Sequence, residues 1–265
     1  MTETDAPSLT LVAELWYAGA PDLDDAVLLD ALRAAAPEAE AQDGSLTVPH
    51  GSVADGRLPL LTVVVPGSPL DTPGKARPDV SQTWDWTGAE AAVARSQASV
   101  LVTEMMIGNA TRQERVSALT TVVDALVRHT APEAISWGHS QRVSDPAAFA
   151  VDDLDGILNV RLFTVAGSPG VMVMDTLGLH VFGLPDVQCH FGDRPPGEIA
   201  GMLYATALYL FDAGDVIADG NTISEPDGEG RYVCRRETSL LDPPRPVLDV
   251  DLGHPYAAGD RDRER

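Results

Sequence analysis

The sequence predicts an α+β fold: mixed or antiparallel sheets, each covered by a long amphipathic helix, in two subdomains of similar layout. Three observations predict it. Strand-like and helical stretches alternate over the first half, strand-like stretches cluster from about residue 157, and no Gly-rich nucleotide-binding turn follows the first strand. With 265 residues, 44% of them apolar, the chain can bury a sizeable core in one large domain or two small ones.

Taken in order, "LTLVAELWYAG" (9–19) is apolar enough for a strand buried on both faces. Pro21 and Asp22 then open a helix in which Leu23, Val27, Leu28 and Leu32 keep helical spacing. "GSLTVPHG" and "RLPLLTVVVPG" read as two strands. Residues 66–82, with Pro66, Pro69, Pro73 and Pro78 and little periodicity, read as a loop or covering arm. A short helix follows, entered through Trp84 and Trp86, two rings expected to anchor it to the core, and then the strand "ASVLVTEMMIG". Val116, Leu119, Val123 and Leu126 form one stripe of a helix over 112–129 that Thr111 is placed to cap. "EAISWGHSQRV" is expected as one strand, as are "NVRLFTVAG", "GVMVMDTLGLHVFG" and "DVQCHFG". Pro195 and Pro196 open, and Gly214 closes, a helix whose buried row is Ile199, Leu203, Ala207 and Leu210. "GNTIS", "RYVCRRETSL" and "PVLDVDL" complete the strands. The organisation is therefore an N-terminal α+β portion with the Pro-rich loop (1–79), an α+β region (80–252), and a charged tail (253–265) expected to be disordered.

Forty acidic against 18 basic residues give a net charge of −22. Such a field repels phosphate backbones and anionic headgroups, so nucleic acid and membrane surfaces are poor partners and a basic protein a good one. Only Cys189 and Cys234 occur, far from a C-x-x-C spacing, and the first ten residues lack a signal-peptide pattern. A cytoplasmic protein is expected.

The candidate sites centre on "MDTLGLHVFGLPDVQCHF" (174–191). If Val181, Leu179 and Leu177 lie opposite Val187, Cys189 and Phe191, Cys189 becomes a core thiol. His180 and His190 then share the other face as diagonal neighbours about 7–8 Å apart, close enough to share a metal if a third ligand arrives. Glu104 and His139 are the residues of other strands that would supply one, and these four are also the weak catalytic candidates. Asp186, after Pro185, is expected to bond backbone groups two residues on. A calcium loop over 215–226 fails at Ile217 and Pro226, where oxygen ligands are required, and an Asp219-Gly220 turn explains it better. Ser140, His139 and Asp145 have triad residue types without a nucleophile elbow, and neighbouring strand residues face opposite ways. No cofactor is expected.

The fragments "QTWDWTGAEAAVARSQASVLVTEMM", "PEAISWGHSQRVSDPAAF", "NVRLFTVAG", "MDTLGLHVFGLPDVQCHF", "ALYLFDAGDVIADGNTI" and "CRRETSLLDPPRPVLDVDL" resemble, in that order, a bacterial family of unknown function, DUF4261, over roughly residues 80–251. The resemblance implies no activity, cofactor or catalytic residue. "GDRPPGE" departs from it where a basic residue and a single proline are expected. The leading expectation is a cytoplasmic, non-enzymatic binding protein of unknown partner, an immunity or accessory factor being one form. The alternative is an enzyme, hydrolytic or metal-dependent, with a site assembled from separated strands. A purely structural subunit of a larger assembly is a third expectation.

Overall fold

The apolar run Val12–Tyr17 forms β1, an inner strand of a seven-stranded sheet in the computed structural model, which describes residues 10–51, 60–70, 72, 75–151, 154–225 and 230–256. The fold is α+β, and the chain divides into two compact units, Thr10–Ile157 and a second beginning at Leu158.

In the first unit the sheet also contains β2 (Glu40–Gln42), β3 (Ser45–His50), β4 (Leu60–Pro66), β5 (Ala98–Met105), β6 (Ala134–Trp137) and β7 (Arg142–Ser144). Their order is β2-β3-β4-β5-β1-β6-β7, antiparallel throughout. The pairing of β4 with β5 spans residue 79, which lies inside this unit. Helices α1 (Ala26–Ala35), α2 (Ala89–Arg95) and α3 (Arg112–Thr130) accompany the sheet, with α3 packed on β4, β5 and α1. Thr111 closes a capping box: its Oγ1 accepts from Glu114 N at 3.2 Å, and Glu114 Oε2 accepts from Thr111 N at 2.7 Å. Val116, Leu119, Val123 and Leu126 are all buried, as their spacing predicts.

Three expectations need correction here. The first helix starts at the cap Asp25, which accepts from Val27 N and Leu28 N, and not at Pro21 and Asp22. Its buried stripe is therefore Leu28 and Leu32, while Val27 is 62% exposed. "EAISWGHSQRV" is a hairpin, β6 and β7, because the chain reverses through Gly138–Gln141, with Gln141 at φ 56°. Trp86 packs against the cluster of Trp16, Ala92, Val93, Ala134 and Val143, but Trp84 is 47% exposed and anchors nothing. Gly156 lies where a Cβ atom would meet the Trp137 ring at 2.0 Å, so only glycine lets the chain pass that indole.

The second unit is a six-stranded sheet of β8 (Asn159–Thr164), β9 (Met172–Leu177), β10 (Asp186–Phe191), β11 (Thr222–Ser224), β12 (Arg231–Thr238) and β13 (Pro246–Asp251). Its order is β11-β12-β13-β10-β9-β8, with only β10 and β13 parallel. Helix α4 (Pro196–Ala213) starts and stops at the predicted prolines and Gly214, and packs on β8, β9 and β10. Ile199, Leu203, Ala207 and Leu210 are its buried row.

The predicted register of the β9–β10 pair is overturned. Gln188 lies opposite Asp175, Cys189 opposite Met174, His190 opposite Val173 and Phe191 opposite Met172. Strand β9 ends at Leu177, and Gly178 (φ 143°) diverts the chain into a single 3-10 turn, Leu179–Phe182. Leu179 and Val181 of that turn are buried by packing of the turn itself and not by strand pairing, which alternation alone does not distinguish. Cys189 is fully buried, as expected. No helix among the described residues is long and apolar enough to cross a membrane. Of the predicted charged tail, residues 257–265 lie outside the described residues, as does Pro226 of the rejected calcium loop.

Candidate functional site

The four sequence candidates fall in different units, two in each. Glu104 is buried on β5, where it accepts from Arg115 Nε at 2.9 Å and from Leu11 N at 2.7 Å. His139, in the β6–β7 turn, places Nδ1 3.3 Å from Val12 O and its ring edge-on to Trp137. Both belong to the first unit. In the second unit His180 is on the 3-10 turn and His190 on β10, its ring edge-on to Tyr256. His180 is tied to Asp186, four residues from His190 on β10, a separation of about 13 Å along a strand. The predicted diagonal pairing of the two histidines therefore fails with the register. Among the described residues no three His, Cys, Asp or Glu side chains are placed to hold a metal ion. Ser140 Oγ donates to Gly156 O, and Asp145 Oδ1 caps Ala147 N, so these triad residue types serve local backbone.

Asp186, on β10, bonds backbone seven residues before it and not two residues on as its turn reading predicts. It is fully buried, and its Oδ1 accepts from Leu179 N at 3.0 Å, which holds the 3-10 turn in place. Its Oδ2 faces His180 Nδ1 at 3.1 Å and accepts from Arg245 Nε at 2.9 Å. A carboxylate only accepts, so His180 carries its proton on Nδ1. Arg245 Nη2 also donates to Asp175 Oδ2 at 2.5 Å, and Arg161 meets the same carboxylate through Nε at 3.0 Å and Nη2 at 2.6 Å.

The register extends this network into a polar row across five strands: Arg161 on β8, Asp175 on β9, Gln188 on β10, Asp249 on β13 and Arg235 on β12. Asp175, Gln188 and Asp249 are fully buried, and Gln188 Nε2 donates to Asp249 Oδ2 at 2.9 Å. The 239–245 connection covers the row, with Leu240 N donating to Gln188 Oε1 and Arg161 Nη2 donating to Asp242 O. Burial and the nearby Asp249 push the Cys234 thiol up to about 11, which keeps it protonated and unreactive at neutral pH. The sequence carries a signal for this row: single charges within otherwise apolar strands, as in "NVRLFTV" and "VMVMDTL", mark buried, paired charges.

The open surface of this unit lies beside α4. Gly197, Gly201, Ala205 and Tyr209 recur every fourth residue and so form one row of the helix. Among the described residues nothing approaches within 4 Å of where a Cβ would stand at Gly197 or Gly201, so the row is bare there. It lines a groove of about 890 Å³ whose other wall is Val216, Ile217 and Asn221–Ser224. Tyr209 is 55% and Val216 51% exposed there. The connection 214–221 is held on β12 by Arg236, which bonds Asp215 Oδ2 at 3.0 Å and whose N–H donates to Asp219 Oδ1 at 2.9 Å.

In the first unit a smaller cavity of about 250 Å³ is lined by Glu14, Trp16, Ser136, Arg142 and residues of the Pro-rich segment. Lys75 pairs there with Glu14, and Arg142 with Asp85 and Asp155, while Asp79 accepts from Ser81.

No curated protein and no solved structure matches the chain. Of the stretch 80–251 whose fragments resemble the family, the family model covers the C-terminal part. The segment that carries Asp175, Asp186, Arg245, the α4 groove and β11 is similar to the family described as domain of unknown function (DUF4261), whose model matches residues 175–251.

Proposed function

We propose that the chain is a cytoplasmic, non-enzymatic binding protein that recognises a basic protein, as an immunity or accessory factor does. The observation that carries this reading is the net charge of −22. A field of that strength accelerates encounter with a cationic surface and opposes nucleic acid and anionic lipid. The open groove beside α4 supports it as a place for a partner, and the two free, buried thiols suit a reducing compartment. The test is a pull-down with the full chain at graded salt, followed by rebinding of the purified partner. A basic protein retained at low salt and released near 1 M, where the screening length is about 3 Å, is the expected result. Recovery of no salt-sensitive basic partner overturns the reading.

One observation favours an enzymatic reading: buried Asp186 orients His180 through Nδ1, as a carboxylate orients a general base. Ester, amide and phosphoester hydrolysis by the wild type, abolished in His180→Gln with the fold intact, would support it.

A further inference from the structure

We infer that β11 is a docking edge, which takes up an extended, basic-flanked segment of a partner polypeptide as an additional strand. This rests on the reading of the chain as an acidic binding protein. The first ground is the hydrogen-bond pattern. Cys234 N donates to Asn221 O at 2.7 Å and Glu225 N donates to Gly230 O at 3.0 Å, so residues 221, 223 and 225 carry the ladder to β12. By antiparallel alternation the backbone N–H and C=O groups of Thr222 and Ser224 point away from β12. Among the described residues no strand pairs with β11 on that side. Two outward residues spaced by two are the unit that receives an added strand.

Thr222, Ile223 and Ser224 include no charge and no proline, so the edge is guarded by its three-residue length and by the Gly220 bulge before it, where Gly220 N and Asn221 O both bond Cys234, and not by its side chains. The same three residues line the groove, which offers apolar surface at Met202, Val216, Ile217 and Tyr209 for alternate side chains of an incoming strand. Glu198 is the charged residue of that lining. Charge selects the occupant. A second copy would bring another −22 to the same edge, whereas a segment flanked by Arg or Lys is drawn to it.

A phage-displayed library of random twelve-residue peptides, selected on the full-length chain at low salt, tests the inference. Enriched peptides are expected to alternate apolar or β-branched residues and to carry net positive charge. Binding of the best peptide should protect the Thr222 and Ser224 amides from hydrogen exchange. It should weaken at least tenfold when alternate peptide nitrogens on one edge are methylated. Ser224→Pro removes an outward donor and no ladder bond, so it should weaken binding by a similar factor with an unchanged melting temperature. If that variant does not fold, the methylated peptide alone decides. Failure to enrich basic peptides, unprotected amides at 222 and 224, or β11 paired with a second copy overturns the inference. A basic partner recovered from the pull-down that leaves both amides unprotected ends this inference alone; absence of any basic partner ends the reading beneath it.

Discussion

The two units bury charge in different ways. Among the described residues the first has one fully buried pair, Arg115 with Glu104, which ties the first turn of α3 to β5 and also satisfies Leu11 N. The second buries a chain of alternating charges, Arg161, Asp175, Arg245 and Asp186, in which each inner member touches two partners of opposite sign. An isolated buried pair costs about as much desolvation as it returns in attraction, so apolar residues of similar volume can replace it. A shared chain cannot be replaced two residues at a time. Removing Asp175 takes from Arg161 and Arg245 the carboxylate they share, and removing Arg245 leaves Asp186 with none but His180, so the chain ties β8, β9 and β10 to the segment that enters β13.

The largest effect that would break this contrast is at Arg245. Arg245→Met leaves Asp175 with one cation and Asp186 with none but His180, and is expected to cost about 3–5 kcal/mol in chemical denaturation. A cost below about 1 kcal/mol, the level of an exposed pair, would show that the row contributes little. In the first unit Glu104→Gln alone should cost several kcal/mol, whereas Glu104→Leu combined with Arg115→Met should recover to within about 1 kcal/mol of wild type. If the double variant is as unstable as the single one, the pair is no more replaceable than the row.

Smaller changes sharpen the same comparison. At the bare row of α4, Gly201→Ala fills open space and should raise stability by roughly 0.5–1 kcal/mol, read as a higher melting temperature. A loss of stability there would mean that the row is packed against something. The smallest effect is at His50 on β3, whose pKa burial pushes down while its ring bonds Thr62 Oγ1. A histidine whose folded pKa is depressed favours the fold above its unfolded value near 6.5 and loses that contribution as pH falls toward the folded value. His50→Gln should therefore flatten the decline in stability below about pH 6.5. An unchanged pH profile would place the decline elsewhere.

Much of the fold was legible because local rules and burial agreed. Thr111 and Glu114 three residues later, the Pro195-Pro196 entry with Gly214 at the exit, and the apolar stripe of α3 each point to one structure. Strand β3 is legible in "GSLTVPHG", but β2 is not, although the Asp43-Gly44 turn that joins them, both residues at positive φ, is a strong signal, because β2 is mostly exposed and has no apolar pattern. The candidate site was misread for a related reason. Leu177, Leu179 and Val181 alternate like a strand, yet Gly178 turns the chain away and Asp186 collects the turn's N–H, so His180 leaves the sheet altogether.

By itself the sequence determined the α+β class, the long helices, the core position of Cys189 and the acidic field, since all of these follow from periodicity, capping residues and summed charge. Only the tertiary structure decided which charges meet. Arg245 and Asp175 are 70 residues apart in the chain, and it is strand order and register that place them 2.5 Å apart. Among the described residues tertiary structure likewise pairs nothing with one edge of β11, beside a bare helix row, because no short stretch of sequence says which strand lies at the end of a sheet.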